Sequence, residues 1–112
     1  MFNKVFLCGT VSDRGITVRP LPESGTLVAS FVLQVNEAGS EGKTFSTWLV
    51  CEAYGKAREA AEQLEAGDLI ALEGKLTRRK RQTKGGEPFY DTVVLAWTIQ
   101  RLHGAPVGAG EV

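Results

Sequence analysis

The residues best suited to chemistry in this sequence are cations gathered into one short segment. Six of its thirteen Lys and Arg residues lie within positions 75–84, and no acid lies between Glu73 and Glu87. Such a run can follow a phosphate backbone, or it can be a solvated hairpin whose charges discourage aggregation at a sheet edge. We call positions 75–84 the basic arm, and its cations are Lys75, Arg78, Arg79, Lys80, Arg81 and Lys84.

Acidic residues concentrate elsewhere, around a predicted helix, so the balance of thirteen cations and thirteen acids conceals a separation of charge. We therefore expect a basic face and an acidic side, which favours a polyanionic partner. The acids concerned are Glu52, Glu59, Glu62, Glu65 and Asp68.

Aromatic side chains near these cations are the second candidate feature. Proteins bind single strands without reading their sequence by stacking bases on aromatic rings beside cations. Trp48 lies on the strand face opposite Phe45, Leu49 and Cys51, so it points outward if those side chains fill a core. We predict that Trp48 is a stacking residue.

Three further aromatic positions leave alternatives open. Tyr54 can stack on a base or pack against the start of the helix, and Phe89 and Tyr90 can flank the same groove or be buried. The other tryptophan, Trp97, shares a strand face with apolar residues, which favours the core or a subunit interface over ligand contact. Those apolar residues are Val93, Leu95 and Ile99.

Catalytic chemistry lacks its usual residues. The tripeptide 42–44 (Gly-Lys-Thr) resembles the end of a phosphate-binding loop, but Glu37 stands where that motif requires its first glycine. His103 is the only histidine, so a histidine-activated nucleophile and a multi-histidine metal site both lack residues. Cys8 and Cys51 lie in apolar stretches and are predicted to be buried free thiols. We predict that the protein is not an enzyme and uses no cofactor or metal.

The elements that must position these side chains follow from the periodicity. Alternating apolar residues predict strands, a 3.6-residue stripe from Ala57 to Leu64 predicts one short helix, and Gly85 and Gly86 mark a hairpin turn. Residues 13–19 can continue the first strand past a bend at Gly15. The predicted strands are 3–12, 26–36, 44–53, 68–76 and 89–102, with a long basic loop over 77–88.

This order of elements is typical of an all-β, five-stranded Greek-key barrel of the oligonucleotide-binding (OB) type, with one short helix between strands 3 and 4. An open α+β sheet is the alternative. We predict one domain over residues 1–103 and an unstructured, flexible tail over 104–112.

The composition limits the class of protein. With 43% apolar and 23% charged residues the chain has a globular balance, and its zero net charge excludes a uniformly basic protein. No stretch approaches the roughly 20 apolar residues of a membrane span, and the N-terminus lacks the pattern of a signal peptide. We expect a cytoplasmic protein that does not bind membranes.

Several segments together resemble the bacterial single-stranded DNA-binding protein family over residues 3–102. The similar features are Asn3-Lys4-Val5 leading to Gly9, the segment 26–33, and the stretch Thr47-Trp48-Leu49-Val50-Cys51-Glu52-Ala53-Tyr54-Gly55-Lys56-Ala57. To these are added the segment Gly67-Asp68-Leu69-Ile70-Ala71-Leu72-Glu73-Gly74-Lys75-Leu76 before the basic arm.

The resemblance implies an OB-fold, homotetramers built from dimers, and sequence-independent coating of single-stranded DNA in replication, recombination and repair, at the nucleoid. Trp48 and Tyr54 match positions at which the family stacks bases. Lys56, Arg79 and Lys80 match basic positions along its DNA path.

Other positions depart from the family. A further stacking tryptophan near Gly39 is missing, and Arg81 stands where another is common, although a guanidinium plane can also stack. Leu49 replaces a histidine of the family's dimer interface, so a dimer is an alternative to the tetramer. Nine residues follow His103, with Glu111 as their only acid, whereas the family recruits replication and repair proteins through an acidic tip.

Two rival functions remain. The chain is also similar to primosomal replication protein N, a dimeric OB-fold adaptor that works mainly through protein contacts. The other rival is an assembly domain in which Trp48 and Trp97 both bind only protein.

Overall fold

The computed structural model describes residues 1–103, so the predicted tail over 104–112 lies outside the described part of the chain. Apart from one 3₁₀ turn at Ser40–Gly42, seven elements follow one another in the order strand, strand, strand, strand, helix, strand, strand. They are β1 (Val5–Val11), β2 (Thr17–Pro20), β3 (Leu27–Ala38), β4 (Thr44–Ala53), α1 (Gly55–Glu62), β5 (Leu69–Gln82) and β6 (Pro88–His103).

The strands close into a barrel in the order β1-β5-β6-β4-β3, because β1 also pairs with β3 through Thr10 and Val11. The pairing of β4 with β6 is parallel and the others are antiparallel. The helix follows the third barrel strand and precedes the fourth, so the predicted five-stranded barrel is confirmed. A sixth, short strand, β2, follows the bend at Gly15 and pairs with the outer end of β3.

The core forms where the inward residues of the strands meet the helix. Side chains of β3 and β4 alternate, so Phe31, Leu33 and Cys51 are buried in one cluster. Ala57 and Ala61 join the same cluster from one face of α1, and their small side chains let the helix lie close against the barrel. The helix thereby closes one end of the barrel and fixes the chain that enters it from β4.

The basic arm is strand rather than loop, which corrects the predicted loop over 77–88. β5 runs to Gln82 and pairs with β6 down to Pro88, so only a short turn from Thr83 to Glu87 remains. Because most residues of this segment are cations, it lacks the apolar alternation that predicts a strand. The segment 89–93 of β6, with which it pairs, is rich in residues that favour strands. Cross-strand pairing decides the conformation here.

The last strand contains two β-bulges. In the register of β5 with β6, Glu73 pairs with Thr98 and Gly74 pairs with Ala96, so Trp97 is an extra residue that faces no residue of β5. Leu102 is the extra residue of the second bulge. Gly74 is required beside the first bulge, because a Cβ atom there would lie 2.0 Å from the Leu95 carbonyl oxygen. The bulge changes which residues of β6 point inward.

Both cysteines are free, but only Cys51 is buried. Burial raises the pKa of the Cys51 thiol to about 12. The prediction that Cys8 is buried is wrong, since Leu7 and Gly9 point inward and the alternation turns Cys8 outward.

No helix within residues 1–103 combines the length and apolar character needed to cross a membrane. The same residues contain no cluster of three or more His, Cys, Asp or Glu side chains able to hold a metal ion.

Candidate nucleic-acid interface

Trp48 points outward from β4, as predicted, and 57% of its surface is exposed. Its neighbours Leu49 and Cys51 face the core, and the antiparallel register sets Trp48 opposite Gln34 of β3. The indole lines a shallow groove that also contains Val50 and Arg14. An exposed indole beside an arginine offers a stacking surface and a cation together.

A buried carboxylate organises the middle of this outward face. Glu52, two residues from Val50 on the same side of β4, is fully buried. Arg79 of β5 donates to Glu52 Oε1 from Nε at 3.0 Å and from Nη2 at 2.5 Å. Arg19 of β2 approaches Glu52 Oε2 at 3.7 Å, and within the described residues that oxygen accepts no hydrogen bond.

Tyr54 belongs to the same hydrogen-bond network as Glu52 and Arg79. Arg79 Nη2 also donates to the Tyr54 hydroxyl oxygen at 2.8 Å. Burial raises the pKa of Tyr54, while the positive charge of Arg79 opposes that rise and the negative charge of Glu52 adds to it. The hydrogen bond to Glu52 raises the pKa of Arg79, so the guanidinium stays charged. The network holds a cation and a half-buried aromatic ring in fixed relation on the surface.

Two of the acids predicted for the acidic side are therefore internal. Glu52 pairs with Arg79, and Asp68, only 1% exposed, forms an ion pair with Arg101 at 3.0 Å. Glu59, Glu62 and Glu65 remain on the surface near the helix, although Arg58 pairs with Glu62. The predicted acidic side therefore loses Glu52 and Asp68, and each of these carboxylates neutralises an arginine instead.

Strand alternation divides the basic arm between the two sides of the β5–β6 hairpin. Arg79 and Arg81 lie on the side of Glu52, opposite Asp91 and Phe89, and Lys75 continues that row. Arg81 pairs with Asp91 at 2.8 Å.

Arg78 and Lys80 lie on the other side of the hairpin, where the Arg78 guanidinium sits 4.0 Å from the ring centre of Tyr90. Lys84 is in the turn at the tip. A polyanion could therefore contact cations on either side of this ribbon and at its end.

A second groove lies between the hairpin and the turn that joins β2 to β3. Arg19, Arg79 and Arg81 line it together with Phe89. No pattern in the sequence marks Arg19 or Arg14 as a site residue, because each is a single cation distant from the basic arm. Only the fold brings them beside Glu52 and Trp48.

A third groove adjoins Tyr54 at the start of the helix. Tyr54, Lys56 and Trp97 line it, with Ala57, Leu95 and Ala96 completing the wall. Lys56 is exposed, and Trp97 is 46% exposed. Of the two predicted positions for Trp97, the core is wrong, because the bulge places Ile99 on the inward face and leaves Trp97 outside; the subunit interface stays a prediction.

A closed five-stranded barrel with a helix between its third and fourth strands is an OB-fold, and this one carries aromatic and basic side chains on one outward face. The model of the single-strand binding protein family matches residues 2–102, and the chain belongs to that family. The family consists of binding proteins rather than enzymes, as expected from the sequence.

Similar proteins agree with this membership. The single-stranded DNA-binding protein of Bacillus cereus is 32% identical over 106 residues, which are 91% of this chain and 61% of that protein. The single-stranded DNA-binding protein of Aquifex aeolicus is 35% identical over 115 residues, covering 97% of this chain and 75% of that protein. The chain thus spans about three fifths of the length of the Bacillus relative.

The fold also matches a solved structure described as a Plasmodium falciparum SSB complex with ssDNA. The TM-score is 0.76 at 23% identity, and the match covers 92% of this chain and 96% of that chain. This likeness supports the OB-fold assignment.

Proposed function

We propose that the protein binds single-stranded DNA without reading its sequence, by stacking bases on Trp48 and Tyr54 and by contacting phosphates through cations. The observation that carries the proposal is the exposed Trp48 on the same outward face as the Arg79–Tyr54 pair. The names of the bacterial relatives and membership in the single-strand binding protein family support it.

Stacking suits binding that is independent of sequence, because every base has a π-face, and each stacked base contributes about 1–3 kcal/mol. Tyr54 is well prepared for this role, since its hydroxyl is already bonded to Arg79 and little side-chain freedom is lost on binding. Phosphate contacts come from the cations that surround the two rings. We assign these to Lys56, Lys75, Arg78, Arg79, Lys80, Arg81 and Lys84.

We further propose that the protein forms a homo-oligomer. Along Val5 to Gly9, β1 pairs with β5 on one edge, and within the described residues its other edge is unpaired. Phe6 and Cys8 are exposed on the same strand. An unpaired edge of this kind can add a strand from a second copy. The tetramer is our expectation and the dimer its alternative, and mass in solution separates them.

The proposed setting is DNA replication, recombination and repair, in which single strands are exposed at the nucleoid of the cytoplasm. Coating such strands protects them and requires no catalysis. Partner enzymes of these processes are the remaining proposed ligands.

Titration of the full chain with oligo(dT), followed by tryptophan fluorescence at several salt concentrations, tests the proposal. We expect quenching, and an affinity that falls with salt at a log-log slope of roughly −0.7 per phosphate contacted. Lys80→Gln should reduce the slope by about 0.7, whereas the matched control Arg58→Gln, on the helix and paired with Glu62, should leave it unchanged.

Trp48→Ala should weaken binding by about 1–3 kcal/mol without unfolding the barrel, because the indole is mostly exposed. Absence of quenching together with absence of a gel shift would reject DNA coating. In that case the adaptor that acts through protein contacts becomes the better description.

A further inference from the structure

The groove at the start of α1 has features that the two proposed stacking residues do not explain. It contains a second partly exposed tryptophan, Trp97, which the proposed function does not use. The groove has a volume of about 290 Å³, and none of its lining residues is acidic. Lys56 supplies a cation at the same place.

The backbone holds Trp97 in this position. It is the extra residue of a β-bulge, and bulges reorient side chains relative to regular strand alternation. Gly74 opposite the bulge lets the two strands approach more closely than a side chain would allow, since a Cβ atom added at this position would lie 2.0 Å from the Leu95 carbonyl oxygen. A tryptophan kept on the surface by two such backbone features needs an explanation beyond core packing.

We propose that Trp97 supplies a second ring to the subsite of Tyr54, so that a base of single-stranded DNA in this groove contacts both rings while Lys56 contacts the adjacent phosphate. This inference rests on the proposed function and adds Trp97 to the residues that contact the strand at the start of the helix. The rings of Tyr54 and Trp97 line the groove, and the small side chains of Ala57 and Ala96 leave room in it for a flat ligand.

Charge and continuity favour a nucleotide over an apolar protein side chain. The groove joins the proposed DNA face through Tyr54, whose hydroxyl accepts a hydrogen bond from Arg79. Lys56 is exposed and, in contrast to Arg58 two residues later, it has no ion-pair partner within the described residues. A cation without a partner beside two rings matches a base and its phosphate.

Single-tryptophan variants test the subsite. In Trp48→Phe only Trp97 emits, and in Trp97→Phe only Trp48 emits, while each variant keeps an aromatic ring at the changed position. We expect oligo(dT) to quench both variants. Trp97→Leu should bind roughly 5- to 150-fold more weakly than the parent, the equivalent of one stacked base, and Trp97→Phe should lose less. A melting curve for each variant checks that it folds.

The outcomes are distinguishable. If Trp48 is quenched but Trp97 is not, and Trp97→Leu binds as tightly as the parent, the subsite is rejected and the proposed function stands. If Trp97→Leu lowers the oligomer mass at unchanged affinity, Trp97 is an interface residue and the subsite is again rejected. If no variant binds oligo(dT) by fluorescence or gel shift, both proposals fail together.

Discussion

The buried ion pair between Glu52 and Arg79 predicts an unequal response to loss of its two members. Arg79→Met leaves the fully buried Glu52 carboxylate with only Arg19, at 3.7 Å, to compensate it. Removing one partner of a buried pair costs about 3–5 kcal/mol, and the remaining Arg19 places this variant near 3 kcal/mol. Glu52→Gln leaves behind Arg79 and Arg19, whose side chains are 28% and 39% exposed and can be rehydrated.

A hydrogen bond to a charged group contributes about 1.5–3 kcal/mol, and the amide oxygen of a glutamine still accepts a bond from Arg79, so we expect Glu52→Gln to cost only about 1–2 kcal/mol. At about 4 °C per kcal/mol for a domain of this size, thermal unfolding should show a decrease of about 12 °C for Arg79→Met and about 4–8 °C for Glu52→Gln. The double variant should be more stable than the sum of the single losses predicts, because no unpaired carboxylate remains.

Arg81→Met is the matched control. Its partner Asp91 is 50% exposed, so the 2.8 Å pair should contribute no more than about 1 kcal/mol. Equal losses for Glu52→Gln and Arg79→Met, or strictly additive losses in the double variant, would refute the reasoning from burial.

Three further predictions concern single positions. A thiol reagent should modify only Cys8 in the folded protein and both cysteines after unfolding, because Cys51 is buried with a pKa near 12; two fast-reacting thiols would contradict this. Gly74→Ala should destabilise the fold by about 1–3 kcal/mol in chemical denaturation, since its Cβ meets backbone, whereas Gly85→Ala, with nothing nearer than 3.8 Å, should change it by less than about 0.5 kcal/mol. The raised pKa of Tyr54 means that the folded state retains its phenol proton longer than the unfolded state, so stability should fall as pH rises above about 10; Tyr54→Phe should show a shallower fall in the same alkaline titration.

Much of the fold follows from local patterns in the sequence. The alternation in β3 and β4 and the alanine stripe of α1 predict the barrel strands, the helix and the outward Trp48, because each signal depends on neighbouring residues alone. Phe45 shows a limit of that reasoning. Alternation predicts that Phe45 points inward with Leu49, yet it is 58% exposed and lies near the β3–β4 turn, beyond the end of the core.

The parts of the candidate site that could not be predicted depend on contacts between distant segments. Glu52 and Arg79 are 27 positions apart, and only the fold turns a supposed surface acid into a buried partner. Alternation places Trp97 on the same face as Val93 and Ile99, and it cannot reveal the extra residue that leaves Trp97 outside the core. Strand pairing also divides the basic arm between two sides, which the composition of the segment does not show.

The bulge at Trp97 also affects how this strand can tolerate insertions and deletions. Upstream of it, Val94 and Ala96 point into the barrel at even positions, and downstream Ile99 points inward at an odd position. Deletion of Trp97 would shorten the strand by one position and make the alternation regular. Val94, Ala96 and Ile99 would still point inward, so core packing would not change. Deletion of one residue elsewhere in β6 would shift the alternation, so that inward apolar side chains would point into solvent. Relatives that lack one residue should therefore lack it at this point of the strand, where the extra residue can be lost without disturbing the barrel.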